Sequence, residues 1–154
     1  MKDEKLLKKI LEDNHYKITK PRLVIFWLLR KKGAQTLAEL VKGSSDSVDR
    51  VSVYRIIELY EKLGVAKRIT IGWKYRIELS DIFLDHHHHI TCLSCHKVTA
   101  VKENHEIEQL IKEWGEKTGY HTISHQLELQ GYCSECLQRD KSLTQIPRPH
   151  STHQ

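Results

Sequence analysis

The stretch DRVSVYRIIELYEKLGVAKRITIGWKYRIEL, residues 49–79, decides the fold. Apolar side chains recur every three to four residues along its first half, which predicts a helix with one buried face over Asp49–Leu63, ended by Gly64. The runs 65–71 and 73–79 are rich in β-branched and aromatic residues and predict a hairpin. A helix followed directly by a two-stranded ribbon is typical of a winged helix-turn-helix.

Three shorter helices are predicted before this stretch. The first spans Lys2–Leu11. The second, Leu23–Lys31, is apolar almost all round, as a buried helix should be, with Thr19 placed to cap its start and Gly33 its end. The third begins at Thr36, which has the spacing of a capping box. Helical bundles that do not bind DNA share this pattern, so it predicts the fold and not the function.

Charge divides the chain into two halves. Residues 1–76 carry 18 Lys and Arg against 9 Asp and Glu, whereas residues 77–154 carry 7 against 11. The second half also holds ten of the eleven histidines and all four cysteines. A basic half suits a polyanion such as DNA, and an acidic half rich in ligand side chains suits a metal ion.

The second half predicts a small β-β-α-β module. Its strands are 86–92, 97–101 and 121–129, and its helix is Glu106–Lys117. A module of this size buries little core, so we expect a metal and a partner subunit to stabilise it. The fold class is therefore α+β, with predicted boundaries at 1–79 for a winged-helix DNA-binding domain, 80–85 for a hinge, 86–140 for a metal-binding and dimerisation domain, and 141–154 for a disordered tail.

Two Cys-x-x-Cys pairs form the most specific motif in the chain. Cys92 and Cys95 make the first pair, and Cys133 and Cys136 the second. Each pair can present two thiolates on one turn, and two pairs complete a closed tetrathiolate site that suits Zn²⁺ and leaves no position open for catalysis. The alternative is four free buried cysteines.

A run of four histidines lies just before Cys92. If the run is a strand, His87 and His89 point one way and His86 and His88 the other, so one strand can supply two metal sites. Neutral imidazoles with nearby carboxylates suit Zn²⁺, Fe²⁺ or Mn²⁺. The alternative is a solvated histidine-rich loop.

Together these residues resemble the ferric uptake regulator family, from about residue 5 to residue 137. Each motif is weak alone, but their order and spacing are specific. The markers are KITKPR at 17–22, VSVYRI at 51–56, YRIEL at 75–79, HHHHITCLSC at 86–95, His125, and GYC followed by Cys136 at 131–136.

The resemblance implies a homodimeric, metal-activated repressor that binds double-stranded DNA at AT-rich inverted repeats. Tyr54 and Arg55 match the recognition-helix pair of the family, Lys17 its minor-groove lysine and Arg22 an arginine that contacts the DNA backbone, and Ser52 projects from the same helix. Arg55 can donate a bidentate pair to guanine and Tyr54 can pack on a thymine methyl. The alternatives are a half-buried surface aromatic for Tyr54 and an intrahelical salt bridge for Arg55.

The resemblance also implies a structural zinc at the four cysteines and a regulatory metal site. Glu78, His87 and His89 match the regulatory ligands. Gln35, however, stands where the family has an N-terminal histidine, and Ala100 stands where it has a late carboxylate. Either Asp81, Asp85 or another residue substitutes, or the regulatory site is weak or absent.

An additional site of the family matches at His86, Glu108 and His125, with His88 in place of an aspartate. The exchange removes a hard anionic ligand and should favour zinc over iron. It points to a zinc-responsive member.

Two other functions compete with metal-dependent repression. A small zinc hydrolase would use the histidine cluster, but the chain lacks the His-Glu-x-x-His helix motif, a nucleophile motif and a phosphate-binding loop. A DNA-binding regulator with structural zinc only, and no metal sensing, is the closer competitor. The lack of an export signal predicts a cytoplasmic location, and no apolar run is long enough for a membrane span.

Overall fold

The computed structural model describes residues 2–71 and 74–145. Within these ranges the chain forms two compact units, divided between Asp85 and His86. None of the described helices has the length and apolar character needed to cross a bilayer.

The first unit contains four helices followed by an antiparallel hairpin, which confirms the predicted fold. Its elements are α1 (Lys2–Asp13), α2 (Lys20–Lys32), α3 (Leu37–Ser44), α4 (Arg50–Lys62), β1 (Ala66–Ile71) and β2 (Lys74–Leu79). The hairpin pairs Ala66 with Leu79 at its base. The turn predicted at Gly72 and the first residue of the strand predicted over 73–79 lie outside the described residues.

Local sequence explains where these helices begin and end. Thr36 and Glu39 form the expected capping box of α3, and Asp49 caps α4 by accepting from the backbone N–H of Ser52 at 3.0 Å. Thr19 caps α2 without a side-chain hydrogen bond. Gly33 ends α2 with a positive φ of 69°, a conformation that glycine adopts without steric cost.

The core of the first unit lies between its four helices and the base of the hairpin. Phe26 and Tyr60 are fully buried within it, and the Tyr60 hydroxyl donates to the backbone carbonyl of Arg22 at 2.6 Å. Burial raises the pKa of Tyr60 well above its ordinary value, so this hydroxyl stays a donor. Phe83, inside the predicted hinge, packs edge-on against Phe26 at 5.0 Å between ring centroids. The hinge role of residues 80–85 stays a prediction.

The second unit is a three-stranded sheet with two helices and a terminal turn. Its elements are β3 (His87–Cys92), β4 (Val98–Lys102), α5 (His105–Lys117), β5 (Glu128–Gly131), α6 (Ser134–Arg139) and a 3-10 turn at Lys141–Gln145. β3 is the central strand, antiparallel to β4 and parallel to β5.

The structure corrects two expectations for this unit. The strand expected over residues 121–129 is wrong for most of its length, because β3 pairs only with Glu128–Gly131. α6 was not expected; Cys133 is its N-cap, and it starts at Ser134, inside the second cysteine pair. In the expected tail, Lys141–Gln145 forms a 3-10 turn that begins where Asp140 accepts from Ser142, and residues 146–154 lie outside the described residues.

Candidate metal centres and nucleic-acid face

Strand β3 separates its histidines onto two faces. On one face the ring centroids of His86 and His88 are 5.0 Å apart, and on the other face the ring centroids of His87 and His89 are 4.7 Å apart. The alternation follows from the pleat, in which successive side chains point to opposite sides of the sheet. A single strand thus supplies two separate pairs of imidazoles.

The four cysteines converge at one end of the sheet. Their Sγ atoms all lie within 4.8 Å of one another, and those of Cys95 and Cys133 are 3.8 Å apart. Zinc–sulfur bonds of about 2.3 Å in a tetrahedron place neighbouring sulfurs about 3.8 Å apart. The four thiols therefore fit a zinc ion, and their separation excludes a disulfide between Cys95 and Cys133, which would need about 2.05 Å.

Backbone groups favour thiolates at this cluster. Burial opposes ionisation of Cys92, but N–H groups of Cys95 and Cys133 outweigh it and lower the pKa of Cys92 to about 6. The N–H of Lys97 favours the Cys95 thiolate, but the neighbouring sulfurs prevail and raise the pKa of Cys95 to about 11. A divalent cation would allow all four thiols to ionise together.

A second cluster joins three histidines to one carboxylate. His88 comes from β3, Glu108 from α5, His86 from the residue before β3, and His125 from the segment before β5. Nε2 of His88 lies 2.7 Å from Oε1 of Glu108, and Nε2 of His125 lies 3.2 Å from Oε2. The Nε2 atoms of His86 and His125 are 3.3 Å apart. Zinc bonds of about 2.0–2.1 Å require tetrahedral edges of about 3.3–3.4 Å. The two contacts of His125 match this edge, and the four groups fit one ion once the shorter His88–Glu108 hydrogen bond lengthens.

The histidines also set the charge state of Glu108. Burial opposes its ionisation, but the hydrogen bond from His88 and the charges of His125 and His86 outweigh it and hold the pKa of Glu108 below its usual value. Glu108 is therefore an anion at neutral pH and is ready to bind a cation.

The residues predicted for the regulatory site lie on β2 and β3. Glu78 is in β2, 2% exposed, with Nζ of Lys67 at 3.4 Å. His87 and His89 share one face of β3, and His89 is 6% exposed. Ala100 lies opposite His89 on β4 and brings no ligand atom.

Gln35, at the position of the family histidine, is engaged by its own unit. It is 5% exposed, and its Nε2 donates to the carbonyl of Leu28 at 3.2 Å. Its backbone pairs with Ile77 in both directions, at 2.9 and 2.7 Å. Gln35 thus ties α2 to β2, with its side chain bonded to α2 and its backbone to β2.

The candidate DNA residues cluster at the starts of α2 and α4. Arg22, Ser52 and Arg55 line one open cleft of about 430 Å³ together with Thr19 and Pro21. The Ser52 hydroxyl donates to the carboxylate of Asp49, the cap of α4, at 2.5 Å. Tyr54 and Arg55 are exposed. Lys17 is exposed, and its backbone carbonyl accepts a hydrogen bond from the Arg22 guanidinium.

Sequence reasoning missed two residues at this face. The Arg50 guanidinium lies 5.7 Å from the centroid of the Tyr54 ring, and Arg22 lies 5.5 Å from that of Tyr16. Both are within the range of a cation–π contact. The i,i+4 spacing of Arg50 and Tyr54 on a helix was the available indication for the first pair.

The chain is similar to known proteins over nearly its whole length. The model of the ferric uptake regulator family matches residues 13–130. The ferric uptake regulation protein of Neisseria gonorrhoeae is 30% identical over 139 residues, covering 85% of this chain and 93% of that protein.

Two solved structures are also similar. The Vibrio cholerae ferric uptake regulator has a TM-score of 0.70 and 30% identity, covering 82% of this chain and 98% of that one. The Helicobacter pylori regulator, described as having three functional metal-binding sites, has a TM-score of 0.73 and 26% identity, covering 88% and 91%.

Proposed function

Because this chain belongs to the ferric uptake regulator family, we propose that it is a metal-dependent, DNA-binding transcriptional repressor of metal homeostasis genes. The family consists of transcription regulators and not of enzymes, which excludes a small zinc hydrolase. We place its action in the cytoplasm.

DNA binding is supported by the basic first unit and its winged helix-turn-helix. In this fold the last helix enters the major groove with its N-terminal residues at the base edges. Tyr54 and Arg55 lie in that part of α4 and are exposed. Lys17 lies just before α2 and Arg22 lies in its first turn. A lysine suits a narrow AT-rich minor groove, and an arginine suits phosphate. The proposed partner is double-stranded DNA carrying an AT-rich inverted repeat.

A structural zinc is supported by the thiol geometry. Cys92, Cys95, Cys133 and Cys136 would hold it, and with all four positions filled the ion would stabilise the fold without a catalytic role. Arg139 donates to Sγ of Cys136 at 3.1 Å and would offset part of the negative charge of a tetrathiolate.

The observation that carries metal binding beyond the cysteines is the cluster of His86, His88, Glu108 and His125. Its ligand atoms all lie within 4.8 Å of one another and are separate from the thiols, so the chain has groups for a second metal ion. Three neutral imidazoles and a single carboxylate suit Zn²⁺ better than a harder cation. The three functional metal sites of the Helicobacter pylori relative favour more than one ion here as well.

We assign Glu78, His87 and His89 as the regulatory ligands on the strength of the family resemblance. The metal there would be Zn²⁺, Fe²⁺ or Mn²⁺. It would activate DNA binding only if it binds more tightly to the DNA-competent arrangement of the dimer than to other arrangements.

Homodimer formation is supported by the unpartnered face of α5. Ile107, Leu110 and Trp114 follow one helical stripe, and no residue of α5 is buried. Trp114 is 59% exposed. An apolar stripe of this kind, on a unit that buries little core of its own, indicates a protein partner, and we assign it to a second copy of the chain.

A regulator with structural zinc only remains the second candidate, and Gln35 favours it. The Gln35 side-chain amide donates to the Leu28 carbonyl. It stands where the family has a metal-binding imidazole, and an amide is the weaker metal ligand. Under this alternative, DNA affinity would be independent of any exchangeable metal.

Metal stoichiometry separates the two candidates. Elemental analysis after exhaustive dialysis, followed by reloading with Zn²⁺, Fe²⁺ or Mn²⁺, counts tight and exchangeable ions per protomer. We expect one zinc that survives dialysis and at least one further saturable ion. One tight zinc with no further saturable ion would contradict metal sensing and select the second candidate.

A further inference from the structure

The register of the sheet places a carboxylate beside His89. β3 has β4 on one side and β5 on the other, and His89 pairs with Ala100 on β4 and with Glu128 on β5. The two residues paired with His89 therefore differ in their side chains: Ala100 offers a methyl group and Glu128 offers a carboxylate.

The Glu128 side chain lies on the face that carries His87 and His89. Its Oε1 accepts from the hydroxyl of Thr91 at 3.4 Å, and Thr91 follows His89 by two residues on β3. Residues two apart on a strand share a face. Thr91 is buried, as is His89, so the carboxylate borders a part of the sheet with restricted access to water.

The hydrogen bonds that hold this carboxylate are long. Besides Thr91 at 3.4 Å, Oε1 accepts from the Gln130 amide at 3.5 Å. Bonds of this length are weak, so a change of the Glu128 rotamer toward His89 costs little. Neighbouring strands are about 4.8 Å apart, and a glutamate side chain can cover that distance.

We propose that Glu128 is a ligand of the divalent cation held by His87 and His89, and that it supplies the carboxylate missing at Ala100. The inference rests on the proposed regulatory role of the two histidines. It adds an anionic oxygen ligand from the opposite neighbouring strand, so the set becomes two imidazoles and at least one carboxylate. Such a set suits Zn²⁺, Fe²⁺ or Mn²⁺.

This arrangement gives the cation a mechanical role within the second unit. β5 is only four residues long, Glu128–Gly131, and leads within two residues to Cys133. A cation shared by β3 and β5 would fasten the two strands at the opposite end of their pairing from the thiols. Bound metal should therefore protect the amides of β5 from hydrogen exchange.

The test uses the full-length protein with its cysteine site filled by zinc and titrates it with Co²⁺. Paramagnetic shifts of the His87 and His89 ring protons, assigned with the single His→Ala variants, report on this site separately from the cluster around Glu108. The variants are Glu128→Gln, Glu128→Gln with Ala100→Glu, and Glu103→Gln as a control at an exposed acid. Zinc content and circular dichroism verify that each variant is folded.

We expect Glu128→Gln to weaken Co²⁺ binding at His87 and His89 by about tenfold or more, as for loss of a group that supports a metal site. Ala100→Glu should restore most of the affinity from the other side of His89, and Glu103→Gln should leave it unchanged. Equal affinity of Glu128→Gln and the unaltered protein would overturn the role of Glu128 and leave the histidine site standing. If His87→Ala/His89→Ala bound as many Co²⁺ ions as the unaltered protein, the proposed regulatory site itself would fail.

Discussion

Nε2 of His88 lies 2.7 Å from Oε1 of Glu108, and this contact ties the central strand β3 to α5. No residue of α5 is buried, so within this unit polar contacts of this kind, rather than a hydrophobic core, hold α5 against the sheet. A cation at this point would connect α5, β3 and the segment that carries His125, and its binding energy would stabilise the unit.

Replacing Glu108 should therefore remove one exchangeable metal. Glu108→Gln keeps the size of the side chain but removes the anion, and we expect Zn²⁺ affinity at this cluster to fall by about tenfold or more. The zinc-dependent rise in melting temperature should shrink accordingly, by mass action. Calorimetric zinc titration measures the first effect and thermal unfolding the second. Glu106→Gln, at an exposed acid of the same helix, is the control, and equal losses in both variants would refute the assignment.

Removing one cysteine should destabilise the whole second unit. Cys92→Ser takes away one of the thiols with a lowered pKa, and three thiolates and a hydroxyl bind zinc far less tightly. We expect loss of the zinc that survives dialysis, together with unfolding of this unit or dissociation into monomers. Elemental analysis and sedimentation velocity test both effects. A zinc-free Cys92→Ser protein that remains a stable dimer would contradict a structural role for the metal.

The sequence was sufficient for the fold of the first unit because its indications were local. The capping box at Thr36 and Gly33 after α2 act within a few residues, and the structure has both. The cysteine pairs and the histidine run pointed to metal binding for the same reason.

The features of the second unit that the sequence did not predict depend on pairing between distant segments. Residues 121–127 alternate like a strand but have no partner in β3, and His125 instead joins the cluster around Glu108. Glu128 lacked any motif, and only its register with His89 singles it out. Register is set by strand pairing and not by a local pattern.

The DNA-binding assignment makes a prediction for Arg55. Arg55→Ala should weaken binding to a duplex enriched from a random library by about 1–3 kcal/mol and relax specificity at one base pair. Arg30→Ala is the matched control, since Arg30 is an exposed arginine of α2 that is paired with Asp3 at 2.8 Å. Fluorescence anisotropy at fixed salt measures the duplex affinity of both variants. An unchanged affinity for Arg55→Ala, or an equal loss for Arg30→Ala, would count against base contact by Arg55.

The capping box of α3 predicts a pH-dependent contribution to stability. Burial opposes ionisation of Glu39, but hydrogen bonds from Thr36 and the charge of Arg76 outweigh it and lower the pKa of Glu39. A lowered pKa in the folded state means that the stabilisation is present above the ordinary value of 4.5 and is lost as pH falls through the lowered pKa.

Glu39→Gln should therefore cost about 1 kcal/mol or less at pH 7, because the side chain is half exposed. The difference from the unaltered protein should shrink as the pH is lowered below 4.5. Urea unfolding of both proteins at several pH values measures it. A difference that stays constant or grows on acidification would show that the carboxylate charge is not its source.

The central claim is that metal binding at His87 and His89 controls DNA binding. The most direct measurement is the affinity for the enriched duplex with and without added metal, for the unaltered protein and for His87→Ala/His89→Ala, both with the cysteine site filled by zinc. The account predicts that metal strengthens DNA binding by the unaltered protein by about tenfold or more, and that the double variant gains little. Equal strengthening in both proteins, or none in either, would contradict it.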